Sequence, residues 1–244
     1  SKNLSKSLIF NPDIIFTPEC LNIITGDTAH LLKNVTTQAN CPVLETCINF
    51  AKKYSKYISV GSLLLKKNNS KKLFNRSFFI DNKGKIISNY DKIHLFDVKI
   101  NKKEIHQESK NFKKGNNIIC VNTPWGKIGI TICYDLRFPN LFRSLVKLGC
   151  KFIIVPAAFT IPTGKDHWEI LLRARAIENT SYIIATGQCG IHHGLRKTYG
   201  HSLVVNPWGK LLTKGFNRPT ILHTTLDLKK IEEVRNKLPS IYHG

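Results

Sequence analysis

Three side chains of this chain stand in or just past strand-like runs, and each could do chemistry there. Cys133 closes the β-branched run Ile128, Ile130, Thr131, Ile132 in GKIGITICYDLRFPN, a pattern that predicts a buried strand. A thiolate at that point gains from the N–H groups at the start of a following helix, which also offer donors to an oxyanion. The inert alternative is a small buried hydrophobe, the ordinary fate of a lone cysteine in an apolar strand. Glu19 stands just past the apolar run of IIFTPE, as an acid or base or as a solvated turn residue after Pro18. Lys92, among Tyr90, Ile93 and Leu95, is a fixed positive charge if a pocket holds it, or a lysine that snorkels its ammonium to the surface. His167 or His201 could serve Cys133 as base, but nothing in their spacing selects either. The pair His192-His193 has no carboxylate or cysteine at ligand spacing, which favours an exposed loop over a metal site.

Positioning Cys133 falls to a β-α-β unit. Pro139 suits the first residue of a helix, and NLFRSLVKLG carries Leu141, Phe142, Leu145, Val146 and Leu148 before stopping at Gly149. The second strand is KFIIVPAAF. Open α/β sheets place their chemistry at the strand ends of such units. Upstream, LSKSLIF reads as the end of an amphipathic helix, residues 21–40 as polar and irregular, and 43–57 as a helix. Strands follow at 59–65 and in LFNRSFFID, joined by a basic turn from Lys66 to Lys72, and the turn Asp81-Asn82-Lys83-Gly84 leads to a strand KIISNYDKIHLF that contains Lys92. Residues 97–116 read as a loop carrying Glu108, and IICVNT as the strand before a tight turn at Pro124-Trp125-Gly126-Lys127. Downstream, Asp166 is the expected N-cap of a helix over 167–179, with Glu169 and Arg173 spaced as an i,i+4 pair. Then come the strand YIIATG, a loop with His192, His193 and Arg196, the strand HSLVVN, a second Pro-Trp-Gly-Lys turn at Pro207, a strand ILHTTLD and a terminal helix LKKIEEVRNKL.

Bulk properties bound the function. At 244 residues, 42% hydrophobic and 22% charged, the chain is expected to form a single domain over 1–244 with a sizeable core. No apolar run reaches the roughly 20 residues of a membrane span, so no membrane partner is expected. Seven scattered cysteines without C-x-x-C pairs argue against a disulfide framework or zinc ribbon and for a reducing, cytoplasmic setting. The net charge of +21 raises nucleic acid as a partner. The lysines, however, are spread over loops and helix faces without an aromatic-interleaved motif, which reads as a solvated basic surface with no specific nucleic-acid partner. The chain contains no Met and starts on Ser1, and it is expected to lack its natural N-terminus.

At Cys133 the motifs become specific. TICYDLRFP, together with Glu19 in FTPE and Lys92 in YDKIHLFDV, resembles the nitrilase (carbon–nitrogen hydrolase) superfamily, whose catalytic Glu-Lys-Cys set occurs in that chain order. Glu108 in QES matches the second glutamate often found beside that set. The long block from AAFTIPTGKDHWEILLRARAIENTSY to VVNPWG is similar to the branch whose amidases act on deaminated glutathione. Asn140 departs from the family pattern, which usually has glutamate there, and no strand is read ahead of the first helix, where the family has one. The C-terminus, IYHG, also differs from the family's basic, tyrosine-containing tail.

The resemblance implies an α/β fold, a four-layer α-β-β-α sandwich with its first strand absent from this chain, and a homodimer. It implies hydrolysis of a C–N amide bond through a thioester on Cys133. Glu19 would act as general base, Lys92 and the backbone N–H of Tyr134 as oxyanion donors, and Glu108 as a support for Lys92 or water. No metal or organic cofactor is expected. The expected substrate is a small amide with a carboxylate and an α-keto group, and Arg137, Phe159, Thr160, Arg173 and Arg196 are the candidates to bind it. Two other functions are compatible with the residues: a broader ω-amidase of α-keto-acid amides, and a non-catalytic basic binding protein on the same scaffold.

Overall fold

The computed structural model describes residues 2–67, 70–102 and 104–243. Apolar strands, several of them buried along nearly their whole length, build two sheets. The first contains β1 (Ile14–Phe16), β2 (Thr36–Thr37), β3 (Tyr57–Lys66), β4 (Phe74–Ile80) and β5 (Ile86–Asp91). β1 and β2 both run parallel to β3, and β3, β4 and β5 form an antiparallel meander. A separate hairpin, β6 (Asp97–Asn101) with β7 (Glu104–Gln107), follows. The second sheet takes up β8 (Cys120–Thr123), β9 (Gly126–Ile130), β10 (Cys150–Ala157) and β11 (Tyr182–Gly187). After the small hairpin β12 (Cys189–Ile191) and β13 (Lys197–Tyr199), β14 (Leu203–Val205) and β15 (Leu211–Lys214) complete it in the order β15-β14-β11-β10-β9-β8. The strands β9, β10 and β11 are parallel.

Eight α-helices accompany the sheets among the described residues. They are α1 (Lys2–Ser7), α2 (Thr28–Asn34), α3 (Pro42–Tyr54), α4 (Glu108–Asn111), α5 (Pro139–Lys147), α6 (Ile161–Thr163), α7 (Glu169–Asn179) and α8 (Lys229–Lys237). The period-2 pattern of β4 separates its two faces. Phe78 and Ile80 pack with Leu44, Cys47, Phe50 and Ala51 of α3, whereas Phe79 joins the core of the second sheet. That larger core continues through Ile128, Ile130 and Ile153 to Leu141, Phe142 and Leu145 of α5 and Leu172 and Ala176 of α7. The resulting order is helix, sheet, sheet, helix, the four-layer α-β-β-α sandwich. Among the described residues no helix is long and apolar enough to cross a membrane.

Several local expectations need correction. Residues 21–40 contain α2, capped by the Asp27 carboxylate on the N–H groups of Ala29 and His30. The β5 ladder ends at Asp91, so Lys92 lies beyond the strand rather than within it. Residues 97–116 are not one loop but the β6–β7 hairpin followed by α4. Helical structure begins at Ile161 and passes through a wide turn at Gly164–Trp168 into α7, so Asp166 caps nothing. The segment 221–227, apolar enough to read as a strand, joins no sheet. The basic turn expected from Lys66 to Lys72 includes positions 68 and 69, which lie outside the described residues.

Candidate active site

Glu19 and Cys133 each sit on a chain that turns sharply as it leaves its strand. Past β1, the backbone at Thr17 and Pro18 lies directly against β3, where a Cβ on Gly61 would come within 2.1 Å of the Thr17 carbonyl oxygen. Cys20 follows in the left-handed region at φ +57°, its N–H bonded to the Ser62 hydroxyl. Past β9, Thr131 is tied to β10 through the Ile154 carbonyl. A 3₁₀ turn then runs over Cys133–Arg137, with Cys133 itself at φ +51°. A non-glycine residue in that region costs roughly 1–2 kcal/mol, so the surrounding contacts hold this strain in place. Because the turn begins at Cys133, the N–H of Tyr134 is a first-turn donor with no partner inside the turn.

The side chains converge in a buried polar cluster. Glu19 is 3% exposed and Lys92 is 2% exposed. The Lys92 ammonium donates to Glu108 Oε2 at 2.7 Å and lies 3.4 Å from Glu19 Oε1. The second Glu19 oxygen accepts the N–H of Ala158 at 2.7 Å, just past β10. Asn75 donates through Nδ2 to Glu19 Oε1 at 2.9 Å and to Glu108 Oε1 at 3.4 Å. Glu108 Oε2 also accepts the Phe96 N–H at 2.7 Å, and the Gln188 amide donates to the Glu19 carbonyl at 2.9 Å. Lys92 is placed by its own backbone, its N–H on the Asn75 carbonyl and its carbonyl accepting from Gly115.

Charge and burial both act on Cys133 and on Lys92. Burial and the neighbouring Glu19 carboxylate push the Cys133 thiol well above its ordinary value, against the pull of the Lys92 ammonium and an N–H from Ala158. Burial alone would neutralise Lys92, but the Glu108 and Glu19 carboxylates outweigh it and hold the ammonium charged to well above the ordinary lysine range. At neutral pH the cluster therefore pairs a neutral thiol with a fixed cation and a carboxylate beside both. A carboxylate can take the thiol proton, and the cation can meet negative charge developing on a bound oxygen.

The other candidates are distributed more widely. Tyr134 packs edge-on against Phe96 and Phe138. The Arg137 guanidinium lies over the Phe159 ring at 5.7 Å and bonds His167 Nδ1 at 3.1 Å. Thr160 is buried, its hydroxyl on that of Thr163 at 2.8 Å. Arg173 is engaged elsewhere, with Glu169 at 3.8 Å and the Gly209 carbonyl at 2.9 Å, in a shallow hollow beside Trp208. Arg196 lies near enough to Cys20 and His192 to act on both electrostatically. His201 Nδ1 faces the Tyr199 carbonyl, His192 the Thr198 hydroxyl and His193 the Thr25 hydroxyl. No group of three His, Cys, Asp or Glu placed to hold a metal occurs among the described residues.

Asn75, Gln188 and the Ala158 N–H were not anticipated from sequence. For Asn75 a signal existed: in LFNRSFFI it shares the inward face with Ser77 and Phe79, a polar residue where the strand pattern predicts an apolar one. Backbone donors leave no trace in side-chain chemistry.

Residues 6–236 match the family described as carbon-nitrogen hydrolase. The deaminated glutathione amidase of Yersinia enterocolitica is 36% identical over 243 residues, covering 98% of this chain and 84% of that protein. The deaminated glutathione amidase of Homo sapiens is 35% identical, covering 94% of this chain and 71% of its own length. In three dimensions the chain is similar to the NitFhit protein of C. elegans, with a TM-score of 0.90 and 34% identity over 99% of this chain. It spans 59% of that longer protein.

Proposed function

Since this chain belongs to the carbon–nitrogen hydrolase family, we propose that it hydrolyses the amide bond of a small substrate through a thioester on Cys133. The observation that carries this reading is the meeting of Glu19, Lys92 and Glu108, drawn from three separate segments, in one buried cluster that acts electrostatically on Cys133. Glu19 takes the thiol proton and the sulfur bonds to the amide carbon. The negative charge moves to the carbonyl oxygen, where the Lys92 ammonium and the Tyr134 N–H receive it. One such donor is often worth about 3 kcal/mol in a transition state. As the C–N bond breaks, Glu19 returns its proton to the departing nitrogen and the amine leaves, cysteinylglycine from deaminated glutathione or ammonia from a primary ω-amide. Glu19 then takes a proton from water, whose oxygen attacks the thioester. Collapse breaks the C–S bond and releases the acid, and Glu19 passes the proton it took from water to the sulfur, which restores the thiol. Glu108 holds Lys92 in register throughout.

The substrate class follows from the amidases at 35–36% identity, whose names specify deaminated glutathione. Its carboxylates would find cationic partners in Arg137 or Arg196, and Phe159 and Thr160 beside Arg137 would help line the site. Arg173 is the weakest of these candidates, since its guanidinium is already engaged. The protein would work as a homodimer in the cytoplasm, a setting supported by seven free cysteines.

Brief mixing with deaminated glutathione, then mass measurement of the intact protein, tests the chemistry. One acyl group should add to the wild type and none to Cys133→Ala, which should also release no amine product while staying folded. Substantial turnover by Cys133→Ala would overturn the assignment. Comparing kcat/KM for deaminated glutathione with that for a short ω-amide of an α-keto acid decides the substrate. Preference for the short amide would favour the broader ω-amidase. Salt-sensitive nucleic-acid binding with no acyl adduct would favour the binding protein.

A further inference from the structure

Asp135 is fully buried and belongs to none of the reacting groups, yet both of its oxygens are occupied by the two segments that must meet. Oδ2 accepts the Tyr90 hydroxyl at 2.7 Å and the Ile132 N–H at 2.8 Å. Oδ1 accepts the His94 N–H at 3.1 Å and faces His94 Nδ1 at 2.7 Å, which must donate because an ionised carboxylate only accepts. Tyr90 and His94 stand two residues before and two residues after Lys92, and Ile132 immediately precedes Cys133. The Tyr90 hydroxyl also accepts the Ile93 N–H at 3.3 Å, closing the turn that carries Lys92. The His94 ring stacks on Phe138, the residue that ends the Cys133 turn, with centroids 3.5 Å apart and planes 7° apart. One carboxylate thus grips the Lys92 segment on both sides and the Cys133 segment at its root.

We propose that Asp135 is a positioning residue that sets the distance between the Lys92 ammonium and the Cys133 sulfur. The inference rests on the reading that these two groups, with Glu19, perform the reaction. A hydroxyl, an imidazole and two backbone N–H groups from separate segments share a single anion, so losing that anion leaves buried donors facing one another. The segments then separate. A displacement of about 1 Å at a reacting centre can cost about 10²-fold in rate. Burial and the Asp135 carboxylate push the Tyr90 hydroxyl far above its ordinary value, so it remains a donor at every pH at which the enzyme could work.

The test measures kcat and KM for release of the amine product in wild type, Asp135→Asn and Tyr90→Phe. It also follows the pH profile of iodoacetamide alkylation on the Cys133 peptide by mass spectrometry. The charged groups acting on Cys133 are Glu19 and Lys92. Retreat of the ammonium disfavours the thiolate, so the profile should move to higher pH in Asp135→Asn. Its kcat should fall about 10²-fold with KM little changed, and Tyr90→Phe should show smaller changes in the same directions. A merely structural role lowers the melting temperature and leaves both the alkylation profile and kcat per folded molecule in place; that result overturns the proposal. Should Asp135→Asn not fold, Tyr90→Phe decides alone, and wild-type kcat with an unmoved profile overturns it. Failure of the underlying reading is separate, because it shows as turnover by Cys133→Ala.

Discussion

The Glu19 carboxylate accepts the backbone N–H of Ala158 at 2.7 Å, joining positions 139 residues apart. Glu19 follows β1 of the first sheet and Ala158 follows β10 of the second, so the bond spans the two inner layers of the sandwich. With Asn75 and Lys92 on the other oxygen, the carboxylate is held from both sides and cannot swing away from the sulfur it influences.

That arrangement gives Glu19→Gln a two-part signature. A side-chain amide must set its own NH₂ against Ala158 N–H or against Asn75 and Lys92, and it cannot accept a proton from the thiol. Turnover should fall at least about 10³-fold, within the span expected for loss of a general base. The carboxylate also raises the Cys133 thiol, so its removal should shift alkylation of Cys133 to lower pH. Retained turnover, or a profile that moves upward, would contradict the role given to Glu19.

Asn75→Ala removes the neutral donor shared by Glu19 and Glu108. Among the described residues the other amide atom, Oδ1, is buried without a partner, so what the substitution takes away is the Nδ2 donor to the two carboxylates. Hydrogen bonds to charged groups are worth about 1.5–3 kcal/mol, and kcat should fall about tenfold or more. Asn75→Asp adds a third carboxylate to the cluster and should be slower still. Steady-state rates placing Asn75→Asp at or above Asn75→Ala would show that the donor is unimportant.

Lys92→Met leaves two buried carboxylates facing each other without a cation. Breaking a buried pair in this way costs about 3–5 kcal/mol, to be measured by urea denaturation. Because its carboxylate partners raise Lys92 above the ordinary 10.5, its contribution is complete below that value and is lost only as pH climbs through the higher folded value. The stability gap between wild type and variant should therefore stay wide through pH 10 and narrow only in stronger base. A gap already closing near neutrality would contradict a charged Lys92.

Gly61→Ala tests the backbone that carries Glu19. The new Cβ would lie 2.1 Å from the Thr17 carbonyl oxygen and 2.4 Å from that of Pro18, so the chain ahead of Glu19 must move. Overpacking of this kind costs about 1–3 kcal/mol, and kcat should drop together with the melting temperature. A folded variant with wild-type kcat would mean that the Thr17–Pro18 approach does not position the carboxylate.

Local chemistry in the chain was sufficient for much of this. The apolar run SVGSLLL located β3 and its hairpin partner LFNRSFFID located β4, the apolar stripe of NLFRSLVKLG located α5, and Pro-Trp-Gly-Lys located both hairpin turns, because each depends on neighbours within a few residues. Glu19 and Cys133 drew attention at the ends of apolar runs and Lys92 among apolar neighbours within an expected strand, and the Glu-Lys-Cys order resembled a known family. Tertiary contacts decided the rest. The run at 221–227 has strand composition but no partner strand, Lys92 leaves the ladder one residue past Asp91, and Arg173 turns toward Gly209. The Asp135 grip, the Asn75 bridge and the Ala158 donor depend on segments that meet only when the two sheets stack. Which atoms meet there is set by packing between layers, and a pattern read along one strand carries no record of the layer it will face.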